Sequence, residues 1–421
     1  MKNVIIGQSG GPTAVINSSI AGVYVGAKAC GAEHVYGMVH GIEGFLKDQI
    51  VDLDQYLDDE TKIALLKRTP SAFLGTCRFK MPAIGVNDEV YEAVFRNMEK
   101  HDIDTLFYAG GNDSMDTVKM LSDYAQLHGK RQSFMGVPKT IDNDLPVTDH
   151  CPGYGSAAKY IATTLKEVIR DNESFGAKKP TIVVCEIMGR DAGWLTAAAA
   201  LAKGDDCSGV DGIYLPERVF DVDRFLDKVD YLSRNKSSVV MAVSEGLKLE
   251  DGRYACELGA DAQDRVDVFG HKQLTGTANA LIKLIGQRTG CKVRAIEFST
   301  LQRAATHIAS LTDINEAFTA GRMAAEAAAS GETGEMVVFN RVNRRGELYR
   351  IEYSRFDIHQ IANGVKEVPQ SWITGDGDDV SAEYLDYARP LIQGELYPFW
   401  VNGLPKHLIL KELIASNAVQ P

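Results

Sequence analysis

Residues 137–146 read VPKTIDNDLP and follow an apolar run, SFMGV, that reads as a strand. A lysine, a threonine and two aspartates fall within six residues there. Such a group suits phosphoryl transfer. Lys139 can meet a phosphate and Thr140 can hydrogen-bond it. Asp142 can take a proton from an attacking hydroxyl, and Asp144 can hold Mg²⁺ directly or through water. Two neighbouring acids alone describe many solvated turns. The glycine-rich segment upstream, GGNDS at 110–114, sets this pair apart.

Further groups sit at comparable places. SGGPT at 9–13 lies between an apolar run and a helical pattern. Gly10 and Gly11 let backbone N–H groups approach an anion at a helix N-terminus. A tight turn that needs glycine reads the same way, and no Walker-type GK[ST] follows. In GGNDS, Gly110 and Gly111 open the backbone, while Asn112, Asp113 and Ser114 offer oxygen ligands. The same residue types also cap helices. Arg190, in MGRDAGW, can fork onto a phosphate or a sugar oxygen, or form a surface ion pair. Glu245, in SEG, can accept from sugar hydroxyls. Arg294 and Arg303, in VRAIEFSTLQRAA, can neutralise a second phosphate. The histidines lack metal-ligand spacing, and His271 reads as structural.

The elements that must carry these residues alternate strand and helix. NVIIG (3–7), DTLFYAG (104–110), SFMGV (133–137), TIVVCEIMG (181–189) and SSVVMAVSEG (237–246) read as strands ending in glycine or polar loops. Helical patterns follow several of them. This is the pattern of a doubly wound α/β fold, in which ligands collect at the carboxyl ends of the strands. MVVFNRV and ELYRIEYSRF read as later strands, LTAAAALA as a packed helix, and HLILKELIAS as a terminal helix.

The bulk numbers are those of a soluble protein of two or more lobes. The chain has 421 residues, 45% hydrophobic and 24% charged. A net charge of −12, with basic clusters no larger than pairs such as Arg344-Arg345, argues against nucleic acid. Seven widely spaced cysteines without a CxxC suggest neither a disulfide framework nor a zinc site. Reduced thiols and a cytoplasmic location are expected. The chain opens on a strand pattern, so no leader segment is expected, and no apolar stretch reaches membrane-spanning length.

Taken together, GQSGGPTAVIN, FLGTCRF, GGNDS, PKTIDND, EIMGRDAGW, SEG and R-x₈-R occur in an order that resembles the phosphofructokinase family, in its pyrophosphate-dependent branch. The tail, with VPQSWI and PLIQGE, is similar to the longer chains of that branch. The resemblance implies two Rossmann-like α/β lobes with mainly parallel sheets, helices on both faces and a C-terminal extension. Residues 1–154, with about 302–345, would form the donor lobe. Residues 155–301, with about 346–421, would form the sugar-phosphate lobe. It implies reversible transfer of a phosphoryl group from pyrophosphate to the 1-hydroxyl of fructose 6-phosphate, in glycolysis, with Mg²⁺. The product pair is fructose 1,6-bisphosphate and orthophosphate. A homodimer or homotetramer is expected, since sites in this family borrow residues across subunits.

Carried over by position, the resemblance gives each motif residue a role. Asp142 is the general base, and Asp144 organises the metal and the transition state. Thr140 contacts the transferring phosphoryl group. Gly11 and Arg78 meet the donor phosphates. Met188, Gly189 and Arg190 hold the sugar phosphate, Glu245 its hydroxyls, and Arg294 with Arg303 its 6-phosphate. Relatives that use ATP carry glycine at the positions of Asp113 and Lys139. Asp113 sets bulk and negative charge against a third phosphate, and Lys139 supplies a cation to a donor that brings no nucleoside. Three positions depart from the family: Asn112 stands for a metal-binding aspartate, Thr181 for an arginine and Thr300 for a histidine. An ATP-dependent enzyme and a non-catalytic regulatory subunit are the rival expectations. Use of a longer sugar, such as sedoheptulose 7-phosphate, is left open.

Overall fold

The computed structural model describes residues 1–175, 179–259, 274–343, 346–362 and 364–411. His271 and the Arg344-Arg345 pair lie outside them. Its main strands are β1 (Asn3–Gln8), β2 (His34–Met38), β3 (Ile50–Asp52), β4 (Ile103–Gly110), β5 (Ser133–Pro138), β6 (Thr181–Ile187), β7 (Gly212–Tyr214), β8 (Ser238–Ser244), β9 (Lys292–Glu297), β10 (Glu335–Arg341) and β11 (Ile351–Asp357). The chain divides into two units. One comprises Met1–Ser156, Arg303–Gly364 and the chain from Gln393; the other comprises Ala157–Gln302 and Val365–Ile392.

The first unit is built on a seven-stranded sheet of order β11-β10-β5-β4-β1-β2-β3 among the described residues. Its inner pairs are parallel, and only β3 and β11 run antiparallel to their neighbours. Side chains of successive residues leave a strand on opposite faces. Val4, Ile6, Phe107 and Met135 accordingly join one core, with Ile20 and Val23 from the helix Ile16–Ala29 and Ala324 from Leu311–Ala329. Ile5, Leu106 and Phe134 join the other, with Phe95 from Glu89–Lys100 and Leu121 from Asn112–Leu127. Burial on both faces explains why these strands read as unbroken apolar runs. Each fully buried aliphatic or Phe side chain contributes about 1.5–3 kcal/mol relative to exposure.

Helices Ile16–Ala29 and Leu311–Ala329 meet backbone to backbone. A Cβ on Gly22 would lie 2.0 Å from the Phe318 carbonyl oxygen, and one on Gly321 would lie 2.1 Å from that of Ser19. The small-residue stripes SSIAG and TAGRMAA are what permit this approach.

The second unit holds a parallel sheet of order β7-β8-β6-β9. Ile182, Val184 and Met241 pack there against Phe225 and Val229 of the helix Val222–Asn235 and Leu281 and Ile285 of Thr277–Thr289. The α/β fold class expected from the sequence therefore holds. Two expectations do not. The resemblance places about 346–421 in the second lobe, but β11 pairs along its length with β10, from Glu335–Asp357 to Arg341–Ile351. That pairing keeps β11 in the first unit, and only Val365–Ile392 joins the second. HLILKELIAS is not helical over 407–410 and is helical at Lys411, while 412–416 lie outside the described residues. Leu408 instead donates its N–H to the Thr69 hydroxyl at 2.9 Å, and Leu410 is buried in a core. No described helix is long and apolar enough to cross a membrane.

Candidate active site

Three parallel strands of the first unit, β1, β4 and β5, release their carboxyl ends side by side. After β1, Ser9 donates to Ala109 at 3.0 Å and Gly10 to the Cys77 carbonyl at 3.1 Å. The Thr76 hydroxyl closes onto the Gly10 carbonyl at 2.7 Å. Gly10 has φ 74°, so the turn requires its missing side chain. The following helix opens only at Ile16. Gly10 and Gly11 therefore form a turn ahead of the helix rather than its first turn. The same contacts carry Arg78, the next residue after Cys77, to this edge.

After β4, the helix starts at once. Gly111 is its N-cap and makes no side-chain bond; Asn112 and Asp113 belong to the first turn. The capping alternative for Asn112 and Asp113 is thereby excluded. Asp113 is exposed. The Asn112 amide nitrogen donates to Asp144 Oδ2 at 3.4 Å. Its Oδ1 is buried and has no hydrogen-bond partner.

After β5, Lys139 donates its backbone N–H to Gly110 at 3.1 Å, and Thr140 to Pro152 at 3.2 Å. The Asp142 N–H bonds the Thr140 hydroxyl at 3.1 Å. Asn143 is left-handed, φ 56°, a conformation that asparagine tolerates. It thereby sets Asp142 and Asp144 on either side of a sharp bend. Lys139 is only 3% exposed, and its ammonium donates to the Gly11 carbonyl at 2.6 Å. Burial pushes its pKa down to about 8. Asp142 and Asp144 pull it back up, while Arg303 and Arg78 press it further down. Those four charges thus act on one ammonium. A Cβ on Gly11 would meet Arg303 Nη1 at 2.9 Å, which places that guanidinium at the same turn.

In the second unit, β6 and β8 end together. Gly189 donates to Glu245 Oε1 at 3.4 Å, and Met188 to Gln302 Oε1 at 3.4 Å. The Ser244 hydroxyl bonds the Gly189 carbonyl at 2.5 Å, and the Glu245 N–H bonds Ile187 at 2.9 Å. Met188, Gly189, Arg190 and Glu245 therefore share one strand-end cluster. Arg294 does not join it. It lies on the edge strand β9 opposite Val183, with its guanidinium 3.9 Å from Asp171 and 5.3 Å from the Phe175 ring centroid. Arg294 and Arg303, grouped by the sequence, have different surroundings. Thr181 opens β6, and Thr300 is exposed.

Two groups escaped sequence reading. Glu217 accepts from the Gly193 N–H at 2.7 Å and from Val368 at 2.9 Å, so it ties the GRDAGW turn to the tail segment. Its sequence signal was a single glutamate after Leu-Pro at a strand end. His150 is buried between Asp149 and Glu316. Its signal was the acid–histidine pair that follows the aspartate loop.

Comparison with known proteins accords with this architecture. The family model described as phosphofructokinase matches residues 3–306. The chain is 39% identical to a pyrophosphate–fructose 6-phosphate 1-phosphotransferase of Methylococcus capsulatus, covering 99% of both chains. It is 37% identical to the protein of that name from Halomonas elongata, covering 96% of this chain and 95% of the other. The crystal structure of a pyrophosphate-dependent phosphofructokinase from Nitrosospira multiformis superposes with a TM-score of 0.86 at 36% identity, covering 97% and 96%. Strand ends, loop motifs and full-length similarity thus agree: the chain belongs to the phosphofructokinase family.

Proposed function

We propose that the chain is a phosphotransferase that moves a phosphoryl group reversibly from pyrophosphate to the 1-hydroxyl of fructose 6-phosphate, in glycolysis. The observation that carries the donor assignment is the buried Lys139 ammonium at the glycine turn, with Asp113 on the neighbouring helix turn. A buried cation strengthens binding of a small, highly charged anion. The carboxylate opposes a third phosphate. Full-length relatives named for the pyrophosphate reaction support the same reading.

In this reading Asp142 accepts the proton of the attacking hydroxyl. The Thr140 hydroxyl, which already holds the Asp142 N–H, faces the transferring phosphoryl group. Gly10, Gly11, Arg78 and Gly111 receive the donor with Lys139. Met188, Gly189, Arg190 and Glu245 receive the sugar phosphate, and Arg303 and Arg294 neutralise phosphate charge. Arg294, on an edge strand, suits a site completed by a second copy, and a homodimer or homotetramer is proposed accordingly. A cytoplasmic location goes with these substrates.

Mg²⁺ fits the residues present. The buried Asn112 Oδ1 has no hydrogen-bond partner, and the Asp144 carboxylate lies against the same amide through its nitrogen; both are oxygen ligands of the kind a hard cation takes, with Asp113 adjacent. A bound Mg²⁺ would neutralise charge that builds on the phosphoryl oxygens. Asn112 brings no charge, so Asp144 supplies most of the attraction.

The test is a donor comparison. Purified protein, fructose 6-phosphate and Mg²⁺ are supplied with pyrophosphate or with ATP. Turnover with pyrophosphate alone is expected. Turnover with ATP alone would overturn the donor assignment, and silence with both would point to a regulatory subunit.

A further inference from the structure

The loop that carries Asp142 and Asp144 is anchored at its far end. Its outgoing limb runs through Thr148, Asp149, His150 and Cys151. The Phe339 N–H bonds the Thr148 hydroxyl at 2.9 Å, and the Asp149 N–H bonds Phe339 at 2.8 Å. His150 has a 2% exposed side chain. Its Nδ1 lies 2.8 Å from Asp149 Oδ2 and its Nε2 2.6 Å from Glu316 Oε2. Both nitrogens donate when the ring is an imidazolium. Arg341 pairs with Asp149 at 2.9 Å, and the Tyr349 hydroxyl donates to Glu316 Oε1 at 2.6 Å. The Phe339 ring packs edge-on against the imidazole, with centroids 4.9 Å apart.

This network reaches the aspartates through one short path. The Cys151 N–H, immediately after His150, donates to Asn143 Oδ1 at 2.9 Å. Asn143 is fully buried, left-handed and covalently joined to both Asp142 and Asp144. A shift of His150 therefore moves the hydrogen bond that holds the bend between the two acids. We propose that His150 is a positioning residue that registers the Asp142–Asp144 loop against the β10–β11 hairpin and the helix Leu311–Ala329.

The charge arrangement favours a cation at this point, since both imidazole nitrogens face carboxylate oxygens. Asp149 faces His150 from its own segment and Glu316 from the helix. Asp313, one turn away on that helix, accepts the Gly153 and Ser156 N–H groups at 2.9 and 2.8 Å. Arg341 and Tyr349 face the same cluster from the hairpin. Burial alone disfavours a charged imidazole. The carboxylates of Glu316 and Asp149 outweigh it and raise the pKa to about 9. Removing the cation leaves buried carboxylates short of a partner, which loosens the limb.

The proposal rests on the reading of Asp142 as the base, so its test carries a readout independent of turnover. His150→Gln and the milder Tyr349→Phe are compared with wild type by amide hydrogen exchange and by steady-state kinetics. The peptide covering 139–152 should exchange faster in His150→Gln, with the peptide covering 8–15 unchanged. Its kcat should fall about ten- to a hundredfold with both KM values nearly constant, as misplacement of a reacting group does. Tyr349→Phe should give a smaller fall, roughly threefold, with the same split. Unchanged exchange, or normal kcat in folded variants, would overturn the proposal; equal changes in kcat and KM would also do so. If His150→Gln does not fold, Tyr349→Phe decides alone by the same readings. Asp142→Asn is run beside them. Full activity there would remove the base assignment, while the exchange data would still judge the His150 anchor.

Discussion

The Lys139 ammonium donates to the Gly11 carbonyl at 2.6 Å and so joins the end of β5 to the turn after β1. The bond is buried, and burial is the main reason the pKa falls to about 8. Lysine is a cation below its pKa, so the charge that the proposed function gives to pyrophosphate binding is present at neutral pH and lost as pH rises through about 8. We expect kcat/KM for pyrophosphate, which reports the free enzyme, to decline through that range. Lys139→Arg should move the decline to higher pH. A profile that stays flat to about pH 10 in wild type would show that Lys139 does not bind the donor as a cation.

Asp113→Gly combined with Lys139→Gly should raise ATP use. In the proposed donor site the double change removes the carboxylate that would oppose a third phosphate and leaves room for the nucleoside. The measurement is the ratio of kcat/KM for ATP and pyrophosphate. Strict pyrophosphate dependence in the folded double variant would overturn the account of donor choice.

Asp142→Ala should lower kcat by about 10²–10⁴ with small changes in KM, the range typical of losing a general base. The bond from the Cys151 N–H to Asn143 Oδ1 holds the bend in this variant as well. A near-normal kcat would assign the base elsewhere.

Asn112→Asp should tighten divalent metal binding by roughly tenfold, because ligand charge count sets affinity at oxygen sites. Titration with Mn²⁺ followed by electron paramagnetic resonance reads this without turnover. Equal affinities would exclude position 112 from the metal's surroundings.

His150 also makes a prediction for stability. Its folded pKa of about 9 exceeds the usual 6.5. Its contribution is therefore complete below about pH 6.5 and lost as pH rises through about 9. Between those limits the Tm of wild type should fall more than that of His150→Gln. Parallel Tm curves would mean that the imidazole is not charged in the native state.

The sequence alone determined the strand–loop–helix order and the motifs at the strand ends. SGG, GGNDS, PKTIDND and GRDAG are local: glycine freedom, strand pattern and residue type lie within a few positions of one another. Family resemblance rests on the same contiguous words. Roles that depend on a first helical turn were less legible. For Asn112 and Asp113 the sequence leaves ligand and cap open, because the capping position shifts with one residue of helix start; the structure gives that position to Gly111.

Only the tertiary structure decided what distant segments do. His150 and Glu316 are 166 positions apart and meet at 2.6 Å. Glu217 and Val368 are 151 apart. Arg294 carries the same charge as Arg303, yet its strand register turns it toward Asp171 and Phe175. The pairing of β11 with β10 likewise overrode the sequence assignment of the tail. Burial, strand pairing and the fall of the Lys139 pKa all come from atoms that the chain gathers from afar. Residue types name the available chemistry, but the low dielectric and fixed distances that tune it exist only once each unit has folded around its own sheet.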